Sequence, residues 1–231
     1  MKFLLTNDDG IKAPGLATLQ QAITGFGEFM VVAPADAISG CSHQVNTHRP
    51  LHVTKVNALE YAVDGTPADC IRLGLIHLMP DVDWVMAGVN DGGNLGVDVY
   101  MSGTVAAARE ASFFGKPAVA FSQYRRKREP FDWSAAVPMV QRVFEHLRQR
   151  PLKFGVFWNV NFPDLDHEDV TPEIVICPID SSHLPVRYNV QSGMLCYQGS
   201  YHERARKPGA DVDVCFSGRI AVTEVPPSWP V

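Results

Sequence analysis

The chain has 231 residues, 46% of them hydrophobic and 19% charged, with a formal net charge of −5. That is an ordinary globular composition, long enough to bury a sizeable core as one large domain. The acidic balance and the lack of a long basic run speak against a nucleic-acid duplex or an anionic membrane as the main partner.

Residues 3–6 read as a buried strand, and 16–24 as a helix with Leu16, Leu19 and Ile23 on one face. A short apolar run at 30–33 ends at Pro34, and the less regular stretch 53–63 has room for short strands. The spacing predicts a helix over 68–79, with Ile71, Leu75 and Leu78 on one side and Pro80 beyond its end. Residues 84–87 predict a third strand, 105–114 a small-residue helix stopped at Gly115, and 118–121 a fourth strand. A long amphipathic helix is predicted over 133–150, its inner stripe being Val137, Val140, Phe144 and Leu147, and a fifth strand over 156–160.

Strands alternating with helices predict an α/β fold for residues 1–163: a doubly wound, mostly parallel sheet covered on both faces. Residues 164–231 show no convincing helix, many β-branched and aromatic residues, and scattered prolines. They read as a β-rich extension of the same domain, with hairpins serving as association arms. The five cysteines (Cys41, Cys70, Cys177, Cys196, Cys215) are widely spaced and form no C-x-x-C. A zinc ribbon or disulfide scaffold is therefore disfavoured. No signal-peptide pattern follows Met1-Lys2, and no apolar run reaches the ~18 residues of a membrane span. A reducing cytoplasm is the expected compartment.

In a doubly wound sheet, ligands bind beyond the carboxyl ends of the strands. Three polar, glycine-containing turns fall there: Thr6-Asn7-Asp8-Asp9-Gly10, Pro34 to Gly40, and Gly88 to Gly96. Each alone is an ordinary turn former. Together they place Asp8, Asp9, the Ser39 hydroxyl and the Asn90 amide at one rim. These are hard oxygen donors without histidine or cysteine, a set that suits Mg²⁺, Mn²⁺ or Ca²⁺. Ser102-Gly103-Thr104 opens the small-residue helix, whose unpaired N–H groups favour an anion. A plain cap by Ser102 or Thr104 is the alternative. A cation beside a helix start points to a phosphate ester.

No P-loop, no G-x-G-x-x-G after the first strand and no G-x-S-x-G are present. His43 and His48 could approach a substrate or serve packing. Thr66 and Asp69 read as a helix cap and first-turn acid, and the basic cluster 125–128 as a solvated loop.

The blocks LLTNDDGIKAPGL (4–16), VVAPADAISG (31–40), GTPADC (65–70), AGVNDGGNLGVDV (87–99), SGTVAAARE (102–110) and NVNFPDL (159–165) occur in order. In that order they resemble the SurE family of stationary-phase survival proteins, metal-dependent nucleoside-monophosphate phosphatases. The resemblance implies a Rossmann-like core and one divalent ion per subunit, Mg²⁺ or Mn²⁺, on Asp8, Asp9, Ser39 and Asn90. It implies phosphate contacts by Asn94, Ser102, Gly103 and Thr104. It also implies hydrolysis of 5′- and often 3′-nucleotides, with Asp8 and Asp9 in catalytic roles, and a homodimer or homotetramer that exchanges C-terminal hairpins. The sequence departs from the family at Met101, where tyrosine is common, at Ile38, and at Thr223-Glu224-Val225. Two other readings remain at this stage. A metal-dependent deacetylase can also place paired aspartates after its first strand, and a module can bind nucleotides without cleaving them.

Overall fold

Phe3, Leu4 and Leu5 are all fully buried, and they face two different cores. They lie in β1 (Lys2–Thr6), where successive side chains point to opposite faces. A computed structural model describes residues 1–126, 130–165 and 171–226. Around β1 it places β2 (Glu28–Pro34), β3 (Val53–Lys55), β4 (Glu60–Val63), β5 (Trp84–Asp91), β6 (Ala118–Gln123) and β7 (Phe157–Phe162). From the C-terminal third come β8 (Ile174–Ile176), β9 (Tyr188–Gln191), β10 (Met194–Tyr197) and β11 (Ile220–Val225). The main sheet has nine strands in the order β3-β4-β2-β1-β5-β6-β7-β11-β8, and β9 and β10 form a separate hairpin. From β4 to β7 all neighbours run parallel, whereas β3 and β11 run antiparallel to β4 and β7. The predicted α/β fold is therefore present. The chain winds outward from β1 in one direction and then from β5 in the other, so the switch point lies between these two strands.

Phe3 and Leu5 pack with α1 (Pro14–Ile23) and α4 (Ala136–Leu147), while Leu4 faces α2 (Pro67–Leu73) and α3 (Gly103–Phe113). Of the predicted stripe of α4, Val140, Phe144 and Leu147 are fully buried and Val137 is partly buried beside them. Phe144 meets the edges of Phe3, Phe26 and Trp84 at centroid distances of 5.5, 5.2 and 5.4 Å. Truncating such a ring to alanine costs roughly 3–5 kcal/mol. On the other face Ala106, Ala107, Ala108 and Ala111 are fully buried, and these small side chains let α3 lie close to the sheet. The helix expected over 68–79 is α2 followed by a π-helical turn, Gly74–Leu78.

Two expectations need correction. The extension contains a helix, α5 (Asp211–Phe216), where none was foreseen. It is not only hairpins either, because β11 inserts between β7 and β8 in the main sheet and buries Ile220 and Val222 completely. Residues 227–231 lie outside the described residues.

Candidate metal and phosphate site

The turn after β1 is closed by Asn7, whose Nδ2 donates to the Gly10 carbonyl at 2.9 Å. Gly10 has φ +95°, and a Cβ there would come within 3.1 Å of the Asp36 carbonyl carbon. Glycine thus allows both the tight turn and its contact with the turn after β2. The Ile38 amide donates to the Asp8 carbonyl at 2.8 Å, which carries the exposed Ser39 to the same rim.

Asp8 is buried, and the Thr104 hydroxyl donates to its Oδ1. The same hydroxyl lies 3.3 Å from Asn90 Oδ1. Opposite, a Cβ on Gly103 would fall 2.9 Å from Asp8 Oδ2 and 3.0 Å from Cys41 Sγ. Only glycine lets the carboxylate reach the start of α3. Asp9 Oδ2 accepts from the Asp91 amide at 3.2 Å, and Asp91 is gripped by Arg125 at 2.8 and 2.9 Å. Ser102 caps α3, its Oγ accepting from the Val105 N–H at 3.1 Å. Asn94 donates from Nδ2 to Ser122 Oγ at 2.8 Å, and Ser122 is the cross-strand partner of Asn90. Asp8, Asn90, Gly103 and Thr104 therefore touch one another, directly or through the Thr104 hydroxyl. Asp9, Ser39, Asn94 and Ser102 stand on the elements that adjoin them.

The electrostatics of the pair are unfavourable as they stand. Burial pushes the Asp8 carboxyl up, against the pull of the Thr104 hydroxyl and the backbone N–H groups of Thr104, Asp8 and Gly103. Burial, and next the charge of Asp8, push Asp9 up to about 6. Among the described residues neither carboxylate makes an ion pair with a lysine, arginine or histidine. Two crowded carboxylates with an amide oxygen beside them and a hydroxyl on the adjoining turn fit a hard divalent ion, which would relieve their repulsion. No cluster of three or more His, Cys, Asp or Glu side chains suited to a metal occurs among the described residues, so a histidine-rich zinc shell has no counterpart there.

Several secondary assignments resolve here. His43 does not face the carboxylates: its Nε2 pairs with buried Glu110 at 2.7 Å, and its ring stacks on Phe113. Thr66 and Asp69 form a capping box on α2. Arg125 is drawn to the rim by Asp91 instead of standing in solvent, while residues 127 and 128 of the basic cluster lie outside the described residues. Sequence reading gave no role to Asn159 and Asn161 within NVNFPDL. Both are fully buried and bond the backbone of Asn94. Two asparagines one residue apart in a buried strand were the available signal, since buried amides need partners.

A doubly wound sheet whose switch point carries paired carboxylates against a helix start defines the class: a Rossmann-like α/β protein with an oxygen-donor site at its carboxyl rim. Comparison with known proteins gives the particular family. The family model described as Survival protein SurE matches residues 3–184, and the chain belongs to this family. It is 49% identical over 225 residues to the protein named "Putative 5'-nucleotidase alr3139" of Nostoc sp. (strain PCC 7120), covering 97% of this chain and 99% of that one. It is 43% identical to 5′-nucleotidase SurE of Geotalea daltonii, over 76% of this chain and 71% of the relative. The crystal structure of the SurE protein from Aquifex aeolicus superposes with a TM-score of 0.86 at 30% identity, covering 97% of this chain and 93% of that one.

Proposed function

We infer that the protein is a divalent-metal-dependent phosphatase that hydrolyses nucleoside 5′-monophosphates, with 3′-monophosphates as further substrates, to nucleoside and phosphate. The observation that carries this reading is the meeting of Asp8 and Asn90 with the first turn of α3 at the switch point, with Asp9 next to Asp8 in the same turn. The names of its relatives, which are 5′-nucleotidases, support the substrate class. Asp8, Asp9, Ser39 and Asn90 would hold one Mg²⁺ or Mn²⁺. When bound, such an ion supplies Lewis-acid polarisation of the phosphoryl group and acidifies a water.

The chain's own residues do the remaining work. Thr104 fixes Asp8 at the start of α3 through its hydroxyl and its backbone N–H. Ser102 accepts from Val105 and keeps its own hydroxyl proton free to donate to a phosphoryl oxygen. The Gly103 position brings the backbone close to that oxygen, and Asn94 faces the rim from the neighbouring loop. Donors set in advance around developing negative charge stabilise the transition state at little reorganisation cost. An aspartate of the pair would also take the proton of the attacking water.

The test is a panel of phosphate esters assayed with Mg²⁺ or Mn²⁺, and with chelator. Nucleoside 5′-monophosphates should be cleaved fastest, and chelator should abolish turnover. Bound but intact nucleotide with every metal would favour a non-catalytic binding module. Amide hydrolysis with zinc would favour a deacetylase.

The hairpin favours self-association of the chain as a homodimer or homotetramer. Tyr188, Val190, Leu195 and Tyr197 share one face of β9–β10, and Val190 and Leu195 are 72% and 70% exposed. An apolar strand face of this kind fits a second copy of the chain. Val190→Glu with Leu195→Glu should yield monomers in sedimentation runs. A wild-type chain that is already monomeric at tens of micromolar overturns the arm assignment. The five cysteines are all unpaired, which suits the reducing cytoplasm, and no described helix is long and apolar enough to cross a membrane.

A further inference from the structure

The loop that carries Asn94 follows β5 and is tied by backbone bonds at Gly92 and Leu95. Side chains from distant segments hold it as well. The Tyr201 hydroxyl lies 3.2 Å from the Gly93 carbonyl. Asn161 accepts the Asn94 N–H at 2.7 Å, and the Asn94 carbonyl accepts from Asn159 at 2.9 Å and from Asn161 at 3.1 Å. Arg204 Nη2 donates to the Leu95 carbonyl at 3.2 Å, and the Gly96 N–H donates to Asp211 Oδ2 at 2.8 Å.

These braces are themselves fixed. Arg204 Nη1 donates to Asp98 Oδ2 at 2.6 Å, and the one Tyr201 hydroxyl proton is shared between that oxygen at 3.0 Å and the Gly93 carbonyl. The guanidinium lies over the Tyr201 ring, 5.0 Å from its centroid. Asp211 also accepts the Asp180 N–H at 2.8 Å. Arg204 is only 3% exposed. Burying a guanidinium is costly unless it is paired and hydrogen-bonded, so its place under this loop needs a reason. The far end of the loop is the Asn94 side chain, donating to Ser122 beside Asn90.

We propose that Asn159, Asn161, Tyr201 and Arg204 are positioning residues that set the Asn94 loop for the substrate's phosphoryl group, so that the C-terminal extension forms part of the reaction site. This rests on Asn94 contacting phosphate. Asn159 and Asn161 clamp the loop from β7, and Tyr201 and Arg204 clamp it from the extension. A loop fixed by side chains at consecutive residues has few alternative conformations, and its amide stands ready before substrate arrives. Loss of one clamp widens the set of positions that Asn94 visits, which weakens anion binding without touching the carboxylates.

The test measures KM, kcat, the inhibition constant of inorganic phosphate, and Mn²⁺ affinity for four variants of the full chain. Tyr201→Phe, the mildest change, keeps the ring and loses the hydroxyl. It should raise KM and the phosphate inhibition constant together by about fivefold, the order of one lost hydrogen bond, while kcat stays within about twofold. Arg204→Lys should act in the same direction, and Asn161→Ala more strongly. Mn²⁺ affinity should be unchanged throughout. If Tyr201→Phe and Arg204→Lys lower the melting temperature but leave KM and phosphate inhibition unmoved, the braces serve the fold alone and the proposal is overturned. Asn94→Ala is the reference. An unaltered KM in that variant removes the phosphate assignment itself, whereas a raised KM there with unmoved brace variants overturns only the positioning role.

Discussion

The two walls of the site are held in opposite ways. On the β1 side, Asp8 and Asp9 are charged groups crowded together, both pushed above the ordinary carboxylate range by burial. On the β7 side, Asn94 sits among neutral amides that satisfy its backbone donor and acceptor. The first wall sacrifices stability and the second supplies it. Groups whose arrangement is unfavourable in the folded chain persist where a reaction needs them, and the surrounding packing must then be strong enough to hold them. The hydrogen bonds about Asn94 and the buried strands beneath both walls supply that strength.

The sharpest way to break this comparison is Asp9→Asn. If the carboxylate wall serves metal and proton transfer, turnover should fall at least about hundredfold, on the order of 3 kcal/mol of transition-state stabilisation. The same change removes the repulsion with Asp8. In the presence of chelator, the variant should therefore melt at the same temperature as the wild type or higher. Kinetics and calorimetry on the same samples check both halves. Near wild-type turnover, or a lower melting temperature in chelator, would mean that Asp9 is a structural residue and that the walls do not differ as described.

Much of the first wall could be read in the chain because it is local. Asp8, Asp9 and Gly10 are consecutive, and Ser102 to Thr104 open a helix with its cap in view. Asn90 was placed correctly at the rim but expected in a turn. It lies inside β5, because Asn90 and Asp91 resume pairing with Ser122 and Gln123 after a register irregularity. That pairing depends on β6, some 30 residues onward, and leaves no mark on the local pattern. The second wall was scarcely legible for the same reason. Tyr201 acts on Gly93 and Asp211 on Gly96, across separations of 108 and 115 residues. α5 was missed because six residues are too few to establish a 3.6-residue period. Its first residue, Asp211, is committed to Gly96, Asp180 and Val212 amides, so tertiary contacts help to define the helix.

A smaller effect tests the same contrast through pH. In the metal-free protein the folded-state Asp9 carboxyl stands at about 6, above its ordinary value of 3.8. The folded state then binds the proton more tightly than the unfolded chain does. The stabilisation from this group is fully present below about 3.8 and is lost as pH rises through about 6, after which it changes no further. Other carboxylates titrate over the same range, Glu110 in the opposite direction because His43 and Arg72 favour its charged form. The informative quantity is therefore the melting-temperature difference between wild type and Asp9→Asn, both in chelator. It should grow in the variant's favour between about pH 4 and 6 and level off above. With Mg²⁺ added, the wild type should gain stability above pH 6 and lose that gain on acidification, since protons compete for the carboxylates that would hold the ion. A difference that stays flat from pH 4 to 7 would show that Asp9 is not under strain, and the contrast between a charged, costly wall and a neutral one that bonds the Asn94 backbone would no longer hold.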